Sequence, residues 1–272
     1  MKLILPYRQI DAFTKEPFRG NPAVVFILDQ PLEKMIMQKI AFEMNQPETA
    51  FVIINANNSS TPLIRWFTPN YEIDLCGHAT LASAYVLFNE RYSAFKNLKF
   101  STLQSGDLYV NREENGALSM ILPSRVGTPL IMEDVPSFVL KGLSRQFLPL
   151  VALKSRDLML LYAHETQIRE MNPDFNILKD YKSEIIVTAP SSSANYDFVS
   201  RFFAANDAIK EDPVTGSAHC TLGPYWAKKL NKIKLNAYQA SERTGELSIE
   251  ILSSQIKITG NCIEILKGEI TL

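Results

Sequence analysis

Hydrophobic and polar positions alternate over many short stretches of this chain, and the pattern predicts a protein rich in β-strand. These stretches contain many β-branched and aromatic residues and are bounded by turn residues, which is typical of strands. Asn115-Gly116 lies between two of them and indicates a two-residue hairpin turn with positive φ at both positions. We therefore expect antiparallel sheet. The predicted strands cover residues 7–13, 22–28, 49–54, 62–67, 107–111, 117–122, 184–189, 247–252, 255–259 and 262–266.

Two helical patterns interrupt the strands. In residues 32–42, one face of a 3.6-residue period carries Leu32, Met35, Ile36 and Ile40, which predicts an amphipathic surface helix. Residues 78–88 are apolar or small on every side and carry no charge. Because a helix without a polar face is a buried helix, this segment predicts a central helix wrapped by sheet.

Composition and charge narrow the class of protein. The chain has 272 residues, 46% of them hydrophobic, with 28 basic and 29 acidic residues and a formal charge of −1. Such a chain can form one large domain or two of about 130 residues, and it has no basic run for nucleic acid or a membrane surface. No apolar run reaches the roughly 18 residues of a spanning helix. Cys76, Cys220 and Cys262 lie far apart, which favours reduced thiols and a cytoplasmic location.

The two halves of the chain repeat one local plan, in which an aromatic strand is followed by an acidic loop and a glycine that opens an apolar helix. Arg65 and Arg201 are 201 − 65 = 136 positions apart, and Phe67 and Phe203 have the same separation, which is half of 272. A repeat at this period changes the expected fold. It predicts two tandem, homologous half-chains.

We therefore predict an N-terminal domain over residues 1–122 and a C-terminal domain over residues 123–272, with the last strand free to return to the first domain. Gly77 and Gly216 would open the two central helices, and Pro224 predicts that the second of them is short or kinked. The first N–H groups of a helix have no internal partner and carry the positive end of its dipole. Two such helix starts at one cleft would hold a carboxylate or another oxyanion.

Three side chains near these helix starts could move protons: Glu48 at the start of a strand, His78 and Asp212. Burial of a carboxyl group raises its pKa towards the range of a general acid or base. Structural alternatives remain open, because Asp212 and Thr215 could serve only as helix caps and Glu48 could be a solvated charge.

Several common site motifs are missing from the sequence. It contains no G-x-G, no G-x-x-x-x-G-K and no G-x-S-x-G, and its three histidines are widely separated. The sequence therefore argues against a dinucleotide-binding motif, a phosphate-binding loop and a serine-hydrolase site. It also gives little support to a zinc site. We expect acid–base chemistry with no metal and no organic cofactor.

Five sequence segments, taken in their order along the chain, indicate a protein family. They are QIDAFTKEPFRGNPAVV (9–25), NQPETAFV (45–52), RWFTPNYEIDLCGHATLASAYVL (65–87), EDPVTGSAHCTLGPYW (211–226) and SERTGEL (241–247). Together they resemble the PhzF-like isomerase and epimerase family of phenazine biosynthesis, which is related in fold to diaminopimelate epimerase. The resemblance implies an α/β (α+β) protein of two tandem pseudo-symmetric domains. Each would be a barrel-like sheet around a central helix, with the active site in the cleft between the domains.

The resemblance also implies a site. The proton-transferring glutamate of the family falls on Glu48, and the histidine and aspartate of its motifs fall on His78 and Asp212. We expect these three residues to be catalytic, with His78 and Asp212 positioning the substrate and tuning the base. The substrate-binding positions fall on Gly77, Gly216 and Ser217. Because the family reaction is a proton shift without metal or organic cofactor, we expect a cofactor-independent isomerase or epimerase acting on a small carboxylated metabolite.

Alternatives to this mechanism stay open. Distant epimerase relatives use two thiols, each just before a glycine, whereas here Cys76 precedes Gly77 but Thr215 precedes Gly216. A cysteine beside a helix start is expected to have a lowered thiol pKa. A non-catalytic metabolite-binding protein, or a hydrolase or lyase using Glu48, would fit the same segments. The natural substrate and the choice between monomer and homodimer are open.

Overall fold

The computed structural model describes residues 2–54, 61–206 and 209–272, which form a mixed α+β fold. The strands of the described residues are β1 (Ile4–Ala12), β2 (Asn21–Leu28), β3 (Glu48–Ile53), β4 (Leu63–Phe67), β5 (Glu72–Ile73), β6 (Asn97–Ser101), β7 (Asp107–Arg112), β8 (Leu118–Pro123), β9 (Thr128–Leu130), β10 (Val151–Lys154), β11 (Leu158–Leu161), β12 (Ile185–Pro190), β13 (Phe198–Phe203), β14 (Lys234–Gln239), β15 (Gly245–Leu252), β16 (Gln255–Gly260) and β17 (Cys262–Thr271). The α-helices are α1 (Lys34–Met44), α2 (Gly77–Glu90), α3 (Ser137–Leu143), α4 (Glu165–Glu170), α5 (Phe175–Leu178) and α6 (Gly216–Leu230).

The chain forms two compact units. The first unit contains residues 1–121 and 259–272, and the second contains residues 122–258. The C-terminal strand β17 lies in the first unit, where it pairs antiparallel with β1. In the described part of the chain, no helix is long and apolar enough to cross a membrane.

In the first unit the sheet encloses α2. β1 and β2 are antiparallel, β2 and β3 are parallel and joined through α1, and β3 and β4 are antiparallel. α2 then leads from β5 to β6, and it packs against β1, β2, β3, β7 and β17. All residues from His78 to Ala84 are buried, which confirms the predicted central helix. Its polar side chains bond within the helix: Thr80 donates to the carbonyl of Cys76 at 2.5 Å and Ser83 to that of Ala79 at 2.7 Å.

The predicted amphipathic helix is also present, as α1. It buries Met37, Ile40 and Ala41, whereas Met35, which was expected on the apolar face, is exposed, as is Phe42. Burial of a narrow apolar stripe is the arrangement expected for a helix that covers one face of a sheet.

The second unit repeats the strand order of the first. β10 and β11 are antiparallel, β11 and β12 parallel, β12 and β13 antiparallel, and β13 and β14 parallel, with α6 between the last two strands. The ten strands predicted from alternation are all present. Residues 158–161 were not predicted as a strand, because the run Leu-Met-Leu-Leu is apolar throughout and has no period that separates strand from helix.

The helix α6 corrects one expectation. The sequence predicts that Pro224 shortens or kinks it, and the shortening does not occur, because α6 continues from Gly216 to Leu230. A proline within a helix cannot donate to the carbonyl four residues earlier. That carbonyl belongs to Cys220, and it accepts a hydrogen bond from the N–H of Arg125 at 2.8 Å. An external donor therefore replaces the missing bond.

The hairpin at Asn115-Gly116 also differs from the prediction. Gly116 has φ of 83°, but Asn115 does not have a positive φ. The N–H of Gly116 donates to the carbonyl of Glu113 at 3.0 Å, and the N–H of Glu113 donates to that of Ala117 at 2.8 Å. This is a three-residue loop whose last residue is left-handed, so only the glycine position needs a positive φ.

Candidate active site

In the first unit, the fold brings Glu48 against His78. Glu48 is the first residue of β3 and His78 the second residue of α2, and these elements pack together. His78 Nε2 lies 3.0 Å from Glu48 Oε2, within ion-pair distance but without the alignment of a hydrogen bond. The side chains are 7% and 17% exposed, respectively. The pair is therefore largely withdrawn from water while the carboxylate keeps some access to it.

The other ring nitrogen of His78 faces two further groups. Asn21 Nδ2 lies 3.2 Å from Nδ1, and Cys76 Sγ lies 3.5 Å from the same atom. Asn21 opens β2 and is fully buried, and Cys76 immediately precedes α2 and is 6% exposed. The imidazole is thus held between a carboxylate on one side and an amide and a thiol on the other.

The charges of this cluster shift two pKa values. Burial disfavours the charged imidazole, but the interactions with Cys76 and Glu48 outweigh burial and hold the pKa of His78 well above its ordinary value. Burial raises the pKa of the Cys76 thiol, and the nearby charge of Glu48 raises it further. The lowered thiol pKa expected from the helix start is therefore wrong, because desolvation and a neighbouring carboxylate exceed the effect of the helix dipole.

The same cluster contains donor atoms that a metal could use. One ligand atom each from Glu48, Cys76 and His78 lies within 4.8 Å of the others, and zinc accepts sulfur, nitrogen and oxygen donors. Cys76 contacts Nδ1, however, whereas Glu48 contacts Nε2. The carboxylate and the thiol therefore lie beside different nitrogens of one ring, whereas a metal ion would be bound through a single ring nitrogen.

In the second unit, Asp212 lies just before the start of α6 in a loop held by Gln239. Thr215 Oγ1 donates to Asp212 Oδ2 at 2.5 Å, so the threonine does not cap the helix with its side chain. Gln239 Nε2 donates to the Asp212 carbonyl at 2.8 Å, and its Oε1 accepts from the Thr215 N–H at 2.9 Å. Gln239 is fully buried, and nothing in the sequence marked it as part of the site.

Ser217, in the first turn of α6, is held by an arginine that the sequence did not indicate either. Arg156 Nη2 donates to Ser217 Oγ at 3.1 Å, and the same guanidinium makes two hydrogen bonds to Asp157, at 2.9 and 3.2 Å. The side chain of Arg156 is 45% exposed. A cation therefore stands at this helix start in addition to the helix dipole.

The glycines that open the two helices are not turn glycines, since neither Gly77 nor Gly216 has a positive φ. A Cβ added at Gly77 would meet only Met120 Sδ, at an ordinary distance of 3.7 Å. The residues before α2 and α6, Cys76 and Thr215, make no capping hydrogen bond with their side chains. The described residues thus bring together Glu48, Gly77 and His78 in the first unit, and Asp212, Gly216 and Ser217 in the second.

The fold is shared with two crystal structures, one of an epimerase and one of a PhzF-family protein. A hydroxyproline epimerase from Agrobacterium vitis has a TM-score of 0.60 to this chain at 6% identity, over 99% of this chain and 93% of its own. The crystal structure of a phenazine biosynthesis protein of the PhzF family from Enterococcus faecalis has a TM-score of 0.91 at 40% identity, over 99% and 100%. The predicted epimerase-like fold is confirmed.

The family follows from the sequence matches. The profile described as phenazine biosynthesis-like protein matches residues 10–268. An uncharacterized isomerase from Halalkalibacterium halodurans is 41% identical, over 98% of this chain and 98% of its own. The chain belongs to the phenazine biosynthesis-like family, and the predicted enzyme class, isomerase, is confirmed by these relatives.

Proposed function

We propose that this protein is a cofactor-independent isomerase or epimerase that moves a proton on a small carboxylated metabolite, with Glu48 as the general acid and base. The contact of Glu48 with the buried ring of His78, at 3.0 Å, is the observation that carries the proposal. A carboxylate at the edge of an apolar core, beside a group that can hold a positive charge, has the features of a proton-transfer site.

The reaction balances with this one carboxylate. Glu48 takes a proton as a C–H bond of the substrate breaks, and it returns that proton as a new C–H bond forms at another carbon or on another face. No oxidant or reductant is needed. The positive charge of His78 would stabilise the negative charge that develops on the substrate between the two steps.

The remaining assigned residues would bind the substrate. Uncapped N–H groups of a helix start suit a carboxylate, and the absence of any packing need for a glycine at Gly77 supports close approach of a ligand. We assign the same role to Gly216 and Ser217 of α6. Asp212, whose carboxylate is fixed by Thr215, would position the substrate.

Solvent deuterium incorporation tests the proposal. A panel of small carboxylated metabolites would be incubated in deuterium oxide with the wild-type protein and with Glu48→Gln, and exchange would be followed by mass spectrometry and proton NMR. We expect exchange at one carbon with the wild type and none with the variant. Glu43→Gln is the matched control, because Glu43 is exposed on α1.

The outcomes separate the alternatives. Exchange that persists at the wild-type rate in Glu48→Gln would overturn the assignment of the base. Products of hydrolysis or elimination would favour a hydrolase or lyase on the same carboxylate. Ligands that raise the unfolding temperature without any exchange would favour a binding protein.

A further inference from the structure

Asn21 lies at a position that the backbone defines tightly. It is fully buried at the start of β2, and Gly20 before it has φ of 70°. A Cβ at Gly20 would lie 2.2 Å from the carbonyl oxygen of Ala12, so only glycine allows this path of the chain. The path brings the amide of Asn21 to 3.2 Å from Nδ1 of His78.

An amide suits a ring nitrogen that gains and loses a proton. The Nδ1 atom of a neutral imidazole with its proton on Nε2 accepts a hydrogen bond, whereas the Nδ1–H of an imidazolium donates one. The Asn side chain carries an NH₂ donor and a carbonyl acceptor of nearly the same shape, and a half-turn exchanges them. Asn21 can therefore bond to His78 in either protonation state. The thiol of Cys76, at 3.5 Å, is a weaker partner.

The other buried histidine shows the contrast. His219 Nδ1 lies 2.8 Å from the carbonyl oxygen of Thr215, which can only accept. That partner requires a proton on Nδ1, and burial lowers the pKa of His219 to about 4. His219 thus keeps a proton on Nδ1 in either protonation state, and burial alone favours the neutral ring, whereas the Nδ1 atom of His78 faces a partner that can donate or accept.

We infer that Asn21 is a positioning residue for the proposed reaction: its amide orients the ring of His78 in either protonation state and keeps Nε2 directed at Glu48. The inference rests on the proposed function for its purpose, but the hydrogen bonding that it describes belongs to the free protein. The titratable groups that act on His78 are Glu48 from β3 and Cys76 from the residue before α2.

NMR of the free protein tests the inference. The chain has three histidines, so the ring nitrogens of ¹⁵N-histidine protein can be assigned with His164→Gln and His78→Gln, and the Asn21 side-chain amide with Asn21→Leu. We expect the amide signals of Asn21 to shift with the same midpoint as the His78 ring. We also expect neutral His78 to carry its proton on Nε2.

A nearly isosteric variant of Asn21 provides a second test of the inference. In Asn21→Asp the carboxylate can only accept, which favours the imidazolium, so the midpoint of His78 should rise by about one pH unit or more. Asn195→Asp, which adds the same charge at an exposed position, should leave the midpoint unchanged. Unchanged His219 signals report that the fold is intact.

Two results would overturn the inference. One is an Asn21 amide whose signals do not respond while His78 titrates, and the other is an Asn21→Asp variant with an unshifted His78 midpoint. Neither measurement uses a substrate, so failure of the proposed isomerase reaction, seen as exchange that survives in Glu48→Gln, is a separate result.

Discussion

The two units share a structural framework. In each, an arginine makes two hydrogen bonds to a glutamate and lies over a phenylalanine of its own strand. These residues are Arg65, Glu72 and Phe67 in the first unit and Arg201, Glu211 and Phe203 in the second. The hydrogen bonds measure 2.7 and 3.0 Å in the first unit and 2.7 and 2.8 Å in the second. In each unit, these hydrogen bonds therefore tie the glutamate of the acidic loop to the strand that precedes the loop.

The strand register extends the comparison to the proposed base. β3 pairs with β4 as β12 pairs with β13, and this places Glu184 where Glu48 lies in the first unit. Burial raises the pKa of Glu184, and the neighbouring Asp157 raises it further. The duplicated glutamate has an acidic neighbour, whereas Glu48 has a histidine.

The residues after the opening glycines differ as well. His78 in α2 corresponds to Ser217 in α6, and Ser217 accepts a hydrogen bond from Arg156. The first unit thus places a titratable ring at its helix start, and the second places a permanent cation there. The two units share the framework and differ in single side chains at their helix starts.

The largest expected effect separates the two glutamates. Glu48→Gln should lower the rate of deuterium exchange by about a thousandfold, the range lost with a general acid or base, whereas Glu184→Gln should keep most of it. Exchange rates on the same substrate measure both. Equal losses in the two variants would show that the units are chemically equivalent after all.

The shared framework predicts similar costs in stability. Arg65→Ala and Arg201→Ala each remove two hydrogen bonds from a partly buried glutamate, and each should lower the free energy of unfolding by about 2 kcal/mol. Glu72 keeps Lys34 Nζ at 2.7 Å, so the cost of Arg65→Ala should be the smaller one. Urea denaturation of the two variants measures this. Arg145→Ala, at an exposed position outside both pairs, is the control, and a cost confined to one unit would break the comparison.

The two buried histidines predict opposite pH dependences. Because the pKa of His219 is about 4 in the folded protein, the unfolded chain binds a proton that the folded protein does not between about pH 6.5 and 4. Stability should therefore fall as pH decreases through this window. His78, with a raised pKa, contributes stability that is present below about pH 6.5 and is lost as pH rises through its folded value.

Unfolding by urea at pH 7 and at pH 4.5 measures the contribution of His219. His219→Gln should remove part of the acid destabilisation, on the order of 2 kcal/mol. His164→Gln serves as the control, because His164 is exposed. An unchanged pH dependence in His219→Gln would contradict the neutral state of the ring.

The smallest expected effect concerns the positions before the opening glycines, Cys76 and Thr215. Cys76→Ser should retain deuterium exchange within about tenfold, because a thiol whose pKa is raised by burial is a poor base at neutral pH. A thiol reagent should also modify Cys76 slowly in the folded protein. Loss of exchange as large as in Glu48→Gln would instead revive a mechanism based on this thiol.

Much of the fold could be predicted because its signals are local. Alternation marked ten strands, and the uncharged run after Gly77 marked the helix that the first sheet encloses. Leu158–Leu161 was missed because it is apolar at every position, and an apolar run carries no period. The continuation of α6 through Pro224 was not predicted, because the N–H of Arg125, which replaces the missing hydrogen bond, is distant in sequence.

The sequence by itself determined the tandem repeat, the two glycine-led helices and the candidates Glu48, His78 and Asp212, since each is a matter of residue type and spacing. Only the tertiary structure decided that Asn21 and Cys76 meet Nδ1 of His78 and that Gln239 holds the loop before α6. It also decided the direction of the Cys76 pKa shift. The helix dipole is a local property, but desolvation and the charge of Glu48 depend on every element that packs around the thiol.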